Sequence, residues 1–156
     1  MPRTGTSIRA TVLAATGLAA AGLSAVDDPA RTPDEAATSQ PLYSVECETQ
    51  AEGERVCFVD RDTYVGWRTF HAFCHVCHAQ DAVGSSFAPN LLERIAVMDK
   101  ERFVHVMDNG FTGQVGVMPP WKDNPNVNKH YDALYAYLKA RANGDLPPGR
   151  PQRRRE

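Results

Sequence analysis

Five consecutive residues, Cys74-His75-Val76-Cys77-His78, place two thiols three positions apart with an imidazole directly after the second. That is the attachment pattern for haem c. Each thiol adds across one vinyl group to give a thioether, and a single helical turn brings both sulfurs to one macrocycle edge. His78 then lies against the iron and ligates it through a ring nitrogen. Two other uses of paired thiols compete with this reading. A redox dithiol of the thioredoxin type needs a strand-then-helix βαβ setting, and none surrounds Cys74. A zinc site drawing on Cys47, Cys57, Cys74 and Cys77 would start from a pair not spaced as a zinc knuckle and would leave His78 unexplained. One covalently bound haem c is therefore the expected cofactor.

The second axial position has several candidates: Met98, Met107, Met118 and the histidines other than His78. Met107 lies in Phe103-Val104-His105-Val106-Met107, a helix-like run in which an apolar Met belongs to the core. Met118 lies in Gly116-Val117-Met118-Pro119-Pro120-Trp121, a loop stiffened by two prolines and well separated from His78. A rigid loop carrying an apolar sulfur suits the opposite face of the macrocycle, so Met118 is the expected ligand, with His105 and His130 as the alternatives. Thioether ligation raises the potential and closes the iron to oxygen chemistry. His71 and His75 are expected to face solvent or the haem edge. Pro89, in Phe87-Ala88-Pro89-Asn90, can offer its carbonyl to the other ring nitrogen of His78, or it is simply a loop proline before a helix.

Helices must position these groups. Asp62 or Thr63 can cap a first helix running into the haem motif, with Tyr64, Trp67, Phe70 and Phe73 as apolar positions. Gly66 would weaken that helix, so it marks a point where another backbone comes close. The expected partner is the last helix, from about Asn126 to Asn143, where Val127, Tyr131, Leu134 and Leu138 recur at helical spacing. Asn143-Gly144 followed by Pro147 ends it. Shorter helices are expected over 90–98 and 99–109. Upstream, Cys47 and Cys57 flank the turn Ala51-Glu52-Gly53 within strand-like residues, and in an oxidising compartment they are expected to form a disulfide.

The ends differ in character. Arg3 and Arg9 precede an uncharged run of small apolar residues from Ala10 to about Val26, the layout of a secretory signal, read here as residues 1–25. The run is too short and too rich in Ala and Gly for stable membrane insertion, which points to the periplasm. Removing it takes away two arginines and shifts the net charge from −2 to about −4. Residues 26–42 read as a disordered acidic leader, 43–61 as a disulfide-stapled extension, 62–145 as the haem domain and 146–156 as a basic, Pro-rich tail. Leader and tail are expected to be solvated ends, with docking to a charged partner as the sharper alternative. No basic face suggests nucleic acid, and a monomer is the default at this size.

These residues resemble class I c-type cytochromes across about Thr63–Ala142: Gly66 and Phe70, Cys74–His78, Pro89, Met118 and Tyr137-Leu138-Lys139. The resemblance implies an all-α fold whose N- and C-terminal helices cross, with short helices around one haem and here a small disulfide-bonded hairpin in front. Gly66-Trp67-Arg68, Gly84-Ser85-Ser86-Phe87-Ala88-Pro89 and Leu134–Ala142, with Cys47 and Cys57, are similar to the four-cysteine cytochromes associated with methanol metabolism. That likeness implies an electron carrier, not an enzyme. Its donor would be a pyrroloquinoline-quinone (PQQ) methanol or related alcohol dehydrogenase, and its acceptor another cytochrome or a terminal oxidase. Lys122 and Lys139 would be the cationic contacts near the haem. A general respiratory cytochrome, and a haem enzyme or gas sensor with an open sixth site, are the alternatives.

Overall fold

The computed structural model of the chain describes residues 41–155, so the expected signal segment and all but two residues of the expected leader lie outside the described residues. The described chain opens with a hairpin. Strands β1 (Val45–Thr49) and β2 (Arg55–Val59) pair antiparallel around a turn at Gly53, whose φ of +81° suits glycine. Cys47 sits opposite Cys57 in that register, and the two form the disulfide. Closing a loop of sequence separation 10 limits the unfolded chain, worth about 3 kcal/mol in the chain-entropy model. Replacing both cysteines with serine is expected to lower the unfolding free energy by about that amount in urea titrations. An unchanged midpoint would show that the hairpin is already fixed by its other contacts.

Helix α1 (Arg61–Phe73) follows at once. Its cap is Asp60, not Asp62 or Thr63, because the Asp60 carboxylate accepts from both the amide and the hydroxyl of Thr63. It also accepts from the amide of Ser44 and so ties the hairpin to the helix. Burial alone would raise the Asp60 pKa, but these bonds outweigh it and hold the carboxyl below its ordinary value. Four of the helix's residues, Thr63, Gly66, Thr69 and Phe70, are buried along one side.

That side meets α5 (Tyr131–Ala142), preceded by a 3-10 turn over Asn128–His130 rather than by further α-helix. Gly66 is the contact point. A Cβ there would overlap the carbonyl oxygen of Ala133 and stand 2.8 Å from the Cβ of Tyr137. α5 is buried on nearly every side because α1, α3 (Leu91–Val97) and α4 (Lys100–Asn109) all pack on it. Asn90 and Asp99 cap α3 and α4 through their side chains, as the expected boundaries imply. The N- and C-terminal helices thus cross with short helices beside them, and the fold is mostly helical with small strands added.

The tail departs from the solvated end expected for it. Leu146 and Pro151 are buried, and β5 (Gln152–Arg153) adds to β2 in parallel, giving a sheet in the order β1-β2-β5. The amide of Arg154 donates to Val59, its guanidinium lies 2.8 Å from Glu46, and Arg150 stacks over Trp67 while donating to Tyr64. A two-stranded hairpin leaves an edge of unpaired peptide groups, and this tail covers it.

Candidate haem site

The attachment motif begins where α1 stops. Cys74 caps α1 through its amide to Phe70, and its carbonyl then receives the amides of Cys77 and His78, forming the short helix α2 (His75–His78). Both thiols are unpaired, Cys74 half-buried and Cys77 exposed. Burial, with a smaller push from Cys77, drives the Cys74 pKa up to about 12, the opposite of the depressed thiol that a dithiol oxidoreductase needs. A four-cysteine zinc site is excluded, since Cys47 and Cys57 are bonded to each other.

His78 is buried, and its Nδ1 lies 3.3 Å from the carbonyl oxygen of Pro89. Burial lowers its pKa while that carbonyl acts the other way, so the ring stays neutral, the ligating form. With Nδ1 engaged, Nε2 remains for a metal. The loop supplying Pro89 is closed internally: Ser85 Oγ donates to the Cys77 carbonyl and accepts from the Phe87 amide, while the Ser85 amide donates to Ala88. Ser85 was not among the expected site residues; its signal was a serine placed just after a positive-φ glycine, Gly84.

A second loop lies against the first. Strands β3 (Phe111–Thr112) and β4 (Val117–Met118) form a small hairpin that pairs Met118 with Phe111. Gly110, at φ +73°, has the Met118 carbonyl where a Cβ would go. Trp121 donates its amide to Met107 and meets Phe73 edge-on, which brings the Met118 loop to the end of α1 beside Cys74. At the hairpin tip a Cβ on Gly116 would stand 2.5 Å from the Phe87 carbonyl, so the Met118 loop and the Pro89 loop touch there.

The other axial candidates have surroundings of their own. Met107 is in the core, and Met98 ends α3 with its carbonyl receiving the Tyr135 hydroxyl. His105 is exposed and faces Asn109 on α4. His130 ends the 3-10 turn that leads into α5, and burial, with a smaller push from Lys129, lowers its pKa against an opposing pull from Asp62. His71 is half-buried in a ring stack, 4.7 Å from Trp67 and 6.1 Å from His75, not simply facing solvent. Lys139 is held on the Ala96 carbonyl and the Tyr135 ring.

Two thiols on one turn, a neutral buried imidazole with one nitrogen engaged, and apolar facing loops form a donor set that fits haem c. The comparisons agree. A family model described as cytochrome C oxidase, cbb3-type, subunit III matches residues 62–138. Cytochrome c-555 of Methylococcus capsulatus is 35% identical over 92 residues, covering 58% of this chain and 72% of that protein. The chain belongs to the c-type cytochromes. The cytochrome is also 41% identical over 102 residues to cytochrome c-553I of Paracoccus denitrificans, covering 63% of this chain and 45% of that protein. It thus spans under half the length of that relative. Among solved structures, the c-type cytochrome XoxG from Methylobacterium extorquens AM1 superposes with a TM-score of 0.61 at 32% identity, covering 77% of each chain. The cofactor is covalently bound haem c, and the matched region is a monohaem electron-carrying module with the Cys47–Cys57 disulfide of the four-cysteine group. Among the described residues no helix is long and apolar enough to cross a membrane.

Proposed function

We propose that the cytochrome is a periplasmic electron shuttle, reduced by a PQQ-dependent methanol or related alcohol dehydrogenase and oxidised by another cytochrome or a terminal oxidase. Cys74 and Cys77 would hold the haem, His78 and Met118 would ligate its iron, and the Pro89 carbonyl orients the His78 ring. The bound group supplies a one-electron ferric/ferrous couple. The chain's part is to fix the ligands, keep water from the iron and offer a surface for brief docking.

One observation carries the reading: the two loops that flank the site meet at Gly116 and Phe87 and contain no charged residue over 82–89 and 110–121. Phe87, at 70% exposure, and Val117, at 73%, stand on their rim with Val83, Phe111 and Val115 also exposed. An apolar rim supports a small, rapidly released redox interface rather than one steered by charge. The likeness to XoxG and to the methanol-linked four-cysteine group supports the choice of donor. The match to an oxidase subunit supports a respiratory carrier as the second reading.

Anaerobic stopped-flow mixing of the ferric protein with a PQQ methanol dehydrogenase separates the two. Fast reduction that requires methanol is expected, with a rate changing less than about threefold between 20 and 200 mM salt, since screening acts on charges that the rim lacks. No reduction by cognate dehydrogenases would remove the proposed donor. A steep fall with salt would move the docking site away from the two loops.

A further inference from the structure

The segment after the haem motif turns sharply. The amide of Gly84 returns to the carbonyl of His78, and within this turn Ala79, Ala82 and Gly84 all have left-handed backbone, at φ +62°, +64° and +88°. Glycine adopts that region freely, whereas alanine resists it, so the turn persists only if its surroundings hold it. Asp81 lies at its centre and is held from two sides. Arg141 of α5 donates through Nη2 to the Asp81 carbonyl at 3.2 Å, with the Asp81 carboxylate 3.9 Å from the same nitrogen. The amide of Gly149, in the tail, donates to that carboxylate at 2.9 Å. Arg141 is itself deeply placed: its side chain is 4% exposed, and its Nη1 donates to the Leu146 carbonyl.

A buried cation needs a counter-charge, and here that charge sits three residues from the histidine beside the iron. We propose that the Asp81–Arg141 pair sets the reduction potential of the haem and positions the turn that carries His78, with the tail acting through Asp81. The proposal rests on His78 as the axial ligand. Reduction adds one electron and removes one positive charge from the haem. The Asp81 carboxylate therefore opposes reduction, and the Arg141 guanidinium favours it.

The test is a pair of charge-changing variants with opposite expected signs. Asp81→Asn keeps the acceptor for Gly149 and the shape of the turn but removes the negative charge. It is expected to raise the ferrous-to-ferric ratio at a fixed ambient potential about threefold, close to 30 mV upward for one electron. Arg141→Gln leaves Asp81 uncompensated and is expected to lower that ratio. Arg141→Lys keeps the charge, loses the fork and should restore the ratio while lowering stability. Redox titration followed at the haem absorption bands reads all three, and thermal unfolding is followed in parallel. A purely structural role would shift stability without these signed changes. Equal ratios, or shifts of the same sign in Asp81→Asn and Arg141→Gln, would overturn the proposal. Near-infrared magnetic circular dichroism of the unmutated protein identifies the axial ligands and so tests the His78 reading separately.

Discussion

Replacing Met118 with alanine is expected to leave the haem attached, because Cys74 and Cys77 lie on a different segment, and to lower the reduction potential by on the order of 0.1–0.2 V. That is a modest part of the roughly 0.8 V over which axial ligands move haem potentials. Thioether sulfur stabilises ferrous iron relative to water or a second imidazole, so its loss favours the ferric form. The same substitution should open the iron. Ferrous Met118→Ala protein is expected to bind carbon monoxide rapidly and stoichiometrically, while the unmutated protein resists it. The loop itself should survive, since Gly110, Pro119, Pro120 and the Trp121 amide on Met107 hold it by backbone contacts that the side chain does not share. An unchanged spectrum and potential would dismiss Met118 as the ligand. Carbon monoxide binding by the unmutated protein at full stoichiometry would instead favour the gas sensor or haem enzyme.

What could be read from the chain alone divides along the line between local and distant causes. The attachment motif was legible because covalent chemistry demands its spacing. The starts of α3 and α4 were legible because Asn90 and Asp99 act on amides two or three residues away. The start of α1 was misread by two or three residues because Asp60, Asp62 and Thr63 are all competent caps. What selects Asp60 is its second bond to Ser44, across the hairpin. The tail was read as solvated from its arginines and prolines, since the edge of β2 that it covers is a property of the folded sheet. The Gly116–Phe87 contact has no sequence signal of its own. Arg141 did leave one: it lies three residues after Leu138 and four after Tyr137, so a charge ends the buried stripe and must find a partner.

Gly66→Ala is expected to be among the most damaging single changes in the helical frame. Alanine is the better helix former by about 1 kcal/mol, so propensity alone predicts a gain. Packing predicts the reverse. The new methyl would overlap the Ala133 carbonyl oxygen, which is backbone within a helix buried on nearly every side and has no soft direction in which to move. Overpacking of this kind costs about 1–3 kcal/mol, sometimes more, and the absence of a yielding side chain places it at the upper end. A net loss of about 2 kcal/mol corresponds to roughly 10 °C in Tm for a domain of this size. The damage should also reach the haem, because α1 ends at Cys74 and pushing α1 from α5 shifts the attachment turn against the Met118 loop. Gly144→Ala is the matched control: its φ is +80° but nothing lies within 4 Å of the added Cβ, so only backbone strain of about 1 kcal/mol is expected, with the haem bands unchanged. If Gly66→Ala melted at or above the temperature of the unmutated protein, the two helices would not be in the close crossing described here. A loss no greater than that of Gly144→Ala would mean that the crossing yields easily and that the frame is held elsewhere.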